Sequence, residues 1–198
     1  MSAEKNSAWI LAGIALTEGT WVILNLLHSP AAFARFLDFS SGRPGLLPGW
    51  WCAAATVAVF LAASLRLPSV RANLFKPSSL KLLGIAVAVA AGILEEAVFR
   101  KLLMDALLHR GYGPLLQVGA SALTFGIAHG VWGLFGKSPR AALGATVATG
   151  ALGGMLALVY LAAGRSLLPC ILAHFLLDAL IEPGLVLAAC RGEMSRAR

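Results

Sequence analysis

Apolar residues fill this chain in long blocks, and the polar positions gather between the blocks or in a few isolated turns inside them. Six blocks, at about 8–27, 47–67, 80–108, 113–135, 141–163 and 167–189, approach the roughly 20 residues that an α-helix needs to cross about 30 Å of hydrocarbon. The breaks carry helix-ending chemistry: Ser29-Pro30, Arg43-Pro44-Gly45, Leu67-Pro68, Lys76-Pro77, Gly111-Tyr112-Gly113-Pro114, Lys137-Ser138-Pro139 and Gly164. The pattern predicts an all-α, polytopic transmembrane helix bundle of about six spans. The fifth block is rich in small residues, with Gly144, Ala145, Ala148, Gly150, Gly153 and Gly154. Such residues let helices approach closely, and packing inside the chain is expected ahead of dimerisation.

Composition strengthens the membrane reading. Hydrophobic residues make up 59% of the 198 and charged residues only 13%, against roughly 45–50% and 25% in a soluble domain. The first block has one Lys before it and no small-x-small cleavage site ahead of His28-Ser29-Pro30, so it reads as an uncleaved span. The formal charge of +7 does not indicate nucleic acid, because no basic stretch with interleaved aromatics is present. The cations sit in the loops instead. Lys5, Arg66, Arg71, Lys76, Lys81, Lys137, Arg140, Arg191, Arg196 and Arg198 fall on one side of the alternation, and Arg35, Arg43, Lys101, Arg110 and Arg165 on the other. The positive-inside bias then puts both termini in the cytoplasm. Cys52, Cys170 and Cys190 have no CxxC or zinc-ligand spacing and read as small packing residues.

A few ionisable groups lie inside the apolar blocks, where each costs about 2.5–3.5 kcal/mol even on lenient insertion scales. They are Glu95, Glu96 and Arg100 in the third block, His129 one turn after Phe125 in the fourth, His174 and Asp178 in the sixth, and more weakly Glu18. On a helix Glu96 and Arg100 share a face and can pair, while Glu95 points about 100° away and needs a partner on another helix. His174 and Asp178 are one turn apart, so the carboxylate can orient the imidazole. Any one of these patches alone suits a structural role: a salt bridge, an interfacial histidine or a polar plug between helices. Together they place a carboxylate base, two imidazoles and an orienting Asp on three spans, a set that suits water activation and oxyanion stabilisation. For the three to meet, the fourth helix must tilt or be short, and residues 130–140 are expected to be irregular or interfacial. Glu18 is expected in a helix-packing hydrogen bond, with lining of an access path as the alternative, Asp105 in a pair with Lys101, and Glu182, which continues the His174–Asp178 stripe, solvated near the boundary before Pro183.

The ordered set Glu95-Glu96-x-x-x-Arg100, Phe125-x-x-x-His129 and His174-x-x-x-Asp178 resembles the CPBP (Abi) family over roughly residues 80–185. That family includes type II CAAX prenyl endopeptidases and bacteriocin-processing or immunity proteins. The resemblance implies an intramembrane endopeptidase of glutamate type, acting on a membrane-anchored protein or peptide. It makes Glu95 the base that activates water, and His129 the group that helps hold that water. It makes His174 with Asp178 the oxyanion or carbonyl contact, and Glu96 and Arg100 supporting residues. Two departures stand out: Lys101 follows the Arg where the family commonly has Gly, and Asp178 stands where many members have Asn. The implied organisation is two N-terminal transmembrane helices over residues 1–79, a catalytic helical core over 80–190 and a basic tail over 191–198. The short chain reads as bacterial, in the inner membrane. No cofactor is expected, but a zinc hydrolase built on Glu95, His129 and His174 is an alternative. A non-enzymatic immunity or scaffold protein of the same family is another.

Overall fold

Helices account for every regular element among the described residues, which in this computed structural model are 2–39, 45–131 and 138–194. The order is α1 (Ala3–His28), α2 (Pro30–Phe36), α3 (Leu47–Ser64), α4 (Pro68–Asn73), α5 (Ser79–His109), α6 (Pro114–His129), α7 (Pro139–Ala162) and α8 (Leu168–Cys190). Five of them, α1, α3, α5, α7 and α8, are long and apolar enough to cross a membrane. The fourth block of the sequence instead forms the 16-residue α6, about 24 Å long at 1.5 Å per residue. The chain is an all-helical integral membrane protein.

Local chemistry explains the boundaries. Pro stands in the first turn of α2, α3, α4, α6, α7 and α8, where its missing N–H costs nothing. Ser2, Ser78 and Ser138 accept from the N3 amide of α1, α5 and α7. The turn between α7 and α8 uses Gly164 and Arg165, at φ 68° and 66°. Positive φ suits the glycine and has to be held at the arginine.

Helix α8 lies at the centre, against α1, α3, α4, α5 and α7. Large apolar side chains such as Trp9, Leu16, Trp51, Leu82, Leu115 and Val147 are exposed around the bundle, as a lipid-facing surface requires. Two close approaches set the spacing. A Cβ on Gly126 of α6 would collide with the carbonyl of Thr146 on α7, where Gly150 also faces α6. The small residues of α7 are thus used inside the chain. A Cβ on Gly84 of α5 would overlap the ring of Pro183, which stands inside α8. Proline frees a carbonyl one turn back, and Lys81 Nζ answers by donating to the carbonyls of Ala179 and Leu180, both at 2.9 Å.

Candidate active site

The six polar residues of α5, α6 and α8 come together: Glu95, His129, His174 and Asp178 line one cavity, while Glu96 and Arg100 are fully buried, with Glu96 against His174. Near the middle of α5 the helix widens into a π turn over Ala97–Leu102, directly after Glu95 and Glu96. Such turns admit an extra residue and occur often at functional sites. Helix α6 is short and ends at His129, so the imidazole sits at the depth of Glu95 and not at the far membrane face. The described residues after it, 130 and 131, form a turn; 132–137, with Trp132, Gly133 and Gly136, lie outside the described residues.

Glu96 and Arg100 form a fully buried ion pair, Nε to Oε2 at 3.1 Å. The guanidinium also donates to the carbonyl of Gly153 on α7, 3.3 Å away, and lies over the Phe125 ring, 4.6 Å from its centroid. On its other oxygen Glu96 accepts from His174 Nδ1 at 2.7 Å. One carboxylate therefore neutralises the arginine and fixes the face of the imidazole. Deleting one partner of such a buried pair costs about 3–5 kcal/mol.

With Nδ1 occupied, His174 turns Nε2 toward Asp178 Oδ2 at 3.3 Å and Glu95 Oε2 at 3.7 Å. Two carboxylates facing one ring nitrogen require a proton among the three groups. His129 is set differently. Its Nδ1 lies 2.9 Å from the Phe125 carbonyl, which can only accept, so in the neutral ring Nε2 carries the lone pair. That Nε2 is also 3.7 Å from Glu95 Oε2. A water about 2.8 Å from each group would span these separations. Glu95 is 15% exposed, and the buried Phe125 packs against both imidazoles, stacked on His129 at 4.4 Å and edge-on to His174 at 5.8 Å.

The cavity has a volume of about 670 Å³ and a mostly apolar wall from α1, α3, α5, α6, α7 and α8. Among the described residues no group of three or more His, Cys, Asp or Glu side chains is disposed to hold a metal ion.

Three expectations are corrected. Asp105 does not pair with Lys101. The π turn shifts residues 97–102 off simple α spacing, and the two side chains find partners far away in sequence. Lys101 Nζ bonds Asp38 at 2.8 Å, while Asp105 takes Arg165 at 2.6 Å and the Tyr160 hydroxyl at 3.1 Å. Arg165 also donates to Gln117 at 3.0 Å. Glu182 is not solvated at a boundary: α8 continues through Pro183, which keeps His174, Asp178 and Glu182 on one face, and Glu182 lines the cavity. Among the described residues Glu18 has no hydrogen-bond partner; it lines the same cavity, with Oε2 buried. Gly153 belongs to the site by necessity, since a Cβ there would press on the Phe125 ring. Sequence alone marked it only as small.

Residues 77–180 match the family of Rce1-like type II CAAX prenyl endopeptidases, more than half of the chain and all six converging residues. The chain belongs to this family of membrane proteases. No curated protein and no solved structure matches it at a significant level.

Proposed function

We propose that this chain is an intramembrane endopeptidase of glutamate type that cleaves a membrane-anchored protein or peptide. One observation carries the reading: a single carboxylate oxygen, Glu95 Oε2, stands 3.7 Å from the Nε2 atoms of His129 and His174, at the wall of a large cavity. In the proposed cycle a water held by the His129 lone pair gives a proton to Glu95 as its oxygen attacks the scissile carbonyl. The developing oxyanion meets the Nε2–H of His174, whose ring is held by Glu96 on one side and Asp178 on the other. Glu95 then passes its proton to the departing amine. Glu96 and Arg100 act through His174 and Phe125 as positioning residues. The groups that move protons all belong to the chain, so a chelator leaves the rate unchanged in this reading. The charge bias of the loops supports both termini lying in the cytoplasm of a bacterial inner membrane.

The test is comparative analysis of protein termini in host membranes carrying the wild-type chain or Glu95→Gln. Termini that appear with the first and vanish with the second identify the substrate. If processing or protection persists in the variant at equal membrane abundance, the protein acts by binding and the endopeptidase reading falls.

A further inference from the structure

Part of the cavity wall comes from the segment after α8, outside the residues that match the family. Helix α8 ends in a turn where the Gly192 amide donates to the Ala189 carbonyl at 3.0 Å and the Glu193 amide to the Ala188 carbonyl at 2.9 Å. That pair of bonds needs a residue at positive φ, which Gly192 supplies at 69°. The direction in which the chain leaves the helix is thereby set. Glu193 then clamps Ser69 of α4, accepting from its hydroxyl at 2.6 Å and from its amide at 3.1 Å. Arg191 Nη1 donates to the same hydroxyl at 3.1 Å. The clamp has a firm base, because α4 is pressed onto α8: a Cβ on Gly184 would lie 2.5 Å from Val70 Cα. Both charged side chains of the segment are used on α4, and the next residue, the half-buried Met194, lines the cavity together with Ser64, Leu67 and Leu185.

Met194 belongs to the end of the cavity away from the acid–base groups. Helix α8 lines the cavity from His174 to Leu185, about 16 Å at 1.5 Å per residue, and ends at Cys190, about 24 Å from His174. An extended peptide covers that interval in about five to seven residues at about 3.3 Å each. We infer that Met194 is a specificity-determining residue that receives an apolar side chain of the substrate about five to seven residues from the scissile bond, and that Glu193 is the positioning residue that holds it there. The position of the cut bond comes from the endopeptidase reading, on which this assignment rests; what the wall touches does not depend on it. Continuity of one cavity from His174 to Met194 makes the substrate's own segment the occupant. Phe60, Leu67 and Leu185 on the same wall favour an apolar side chain, and the unbranched thioether adapts to its shape.

The test places benzoylphenylalanine at Met194, or separately at Thr149, in the full-length Glu95→Gln chain in host membranes, and maps by mass spectrometry the residues captured on illumination. Thr149 lines the cavity one turn before Gly153, which lies against Phe125, and so reports on the catalytic end. Both positions are expected to capture one segment, in proteins whose termini vanish with Glu95→Gln: position 149 beside the lost terminus, position 194 at the spacing given above. Peptides spanning such a site, in phosphatidylcholine vesicles, then give the kinetics. Met194→Ala should raise KM about three- to tenfold with kcat within about twofold, Met194→Leu should restore the wild-type KM, and a peptide too short to reach position 194 should be cut equally by all three chains. Glu193→Ala should reproduce the rise in KM and add nothing to Met194→Ala. Capture of lipid alone at position 194, capture beside the lost terminus, or a KM unmoved by Met194→Ala overturns the inference and leaves the endopeptidase reading in place. Effects of Glu193→Ala and Met194→Ala that add remove the positioning role of Glu193. If no terminus changes, the endopeptidase reading falls; the contact at Met194 then stands on capture of one segment by both positions at that spacing, and falls without it.

Discussion

Helix α5 carries two polar clusters within three turns, and they are built to different standards. Around Lys101 and Asp105 every charge is closed off: Lys101 on Asp38 at 2.8 Å, Asp105 on Arg165 at 2.6 Å, Arg165 on Gln117 at 3.0 Å. Around Glu95 the nearest nitrogens stand off at 3.7 Å, and a cavity opens beside them. Tight mutual pairing leaves nothing for a reactant to contact. A gap wide enough for water, ringed by groups that are themselves held from behind, leaves the reacting atom room. The first cluster fastens the end of α5 to the α7–α8 turn and to the segment after α2; the second is pre-organised and incomplete.

Removing the carboxylate from the open cluster should have the largest effect. Glu95→Gln is expected to lower cleavage by about 10³-fold, equivalent to about 4 kcal/mol of barrier, with thermal unfolding of the purified protein nearly unchanged. A large fall in melting temperature would mean that the gap at Glu95 is a structural contact after all. Next comes Arg100→Met, which takes the guanidinium from a fully buried Glu96 and leaves it only His174, and is expected to cost about 3–5 kcal/mol of stability, read by thermal scanning in detergent. Activity should fall with it, since His174 loses its backing.

The closed cluster should answer in stability alone, and less. Asp105→Asn weakens the hold on Arg165 at its positive φ and should cost about 1–3 kcal/mol, while cleavage per folded molecule stays within about twofold of wild type. Lys101→Met, at a partly exposed pair, should cost about 1 kcal/mol or less. A turnover defect in Asp105→Asn larger than in Arg100→Met would reverse the roles given to the two clusters.

What could be read without coordinates follows the range of each interaction. The spans were legible because lipid demands long apolar blocks. The open cluster was legible because ionisable groups in such blocks have few places to go, and because Glu96–Arg100 and His174–Asp178 are one-turn pairs that spacing reveals. The same one-turn rule misled at Lys101 and Asp105, since nothing in Ala97–Leu102 announces a π turn and the true partners lie 63 and 60 positions away. For Glu18 the sequence offered an access path only as the second reading, and for Glu182 a shared stripe with Asp178 but a solvated end; both line the cavity. Their placement depends on how α1 packs on α5 and α8, and on α8 continuing past Pro183, neither of which a local pattern encodes.

The contact between Lys81 and the carbonyls of Ala179 and Leu180 changes how the chain's topogenic charge should be counted. A lysine at the start of a span ordinarily reaches out to anionic headgroups and helps to decide which end stays behind during insertion. Here the ammonium bends back to seal the backbone gap that a proline creates in another helix. In the finished fold its charge is spent between two helices, and grip on the lipid surface falls to the neighbouring arginines and lysines of the loops.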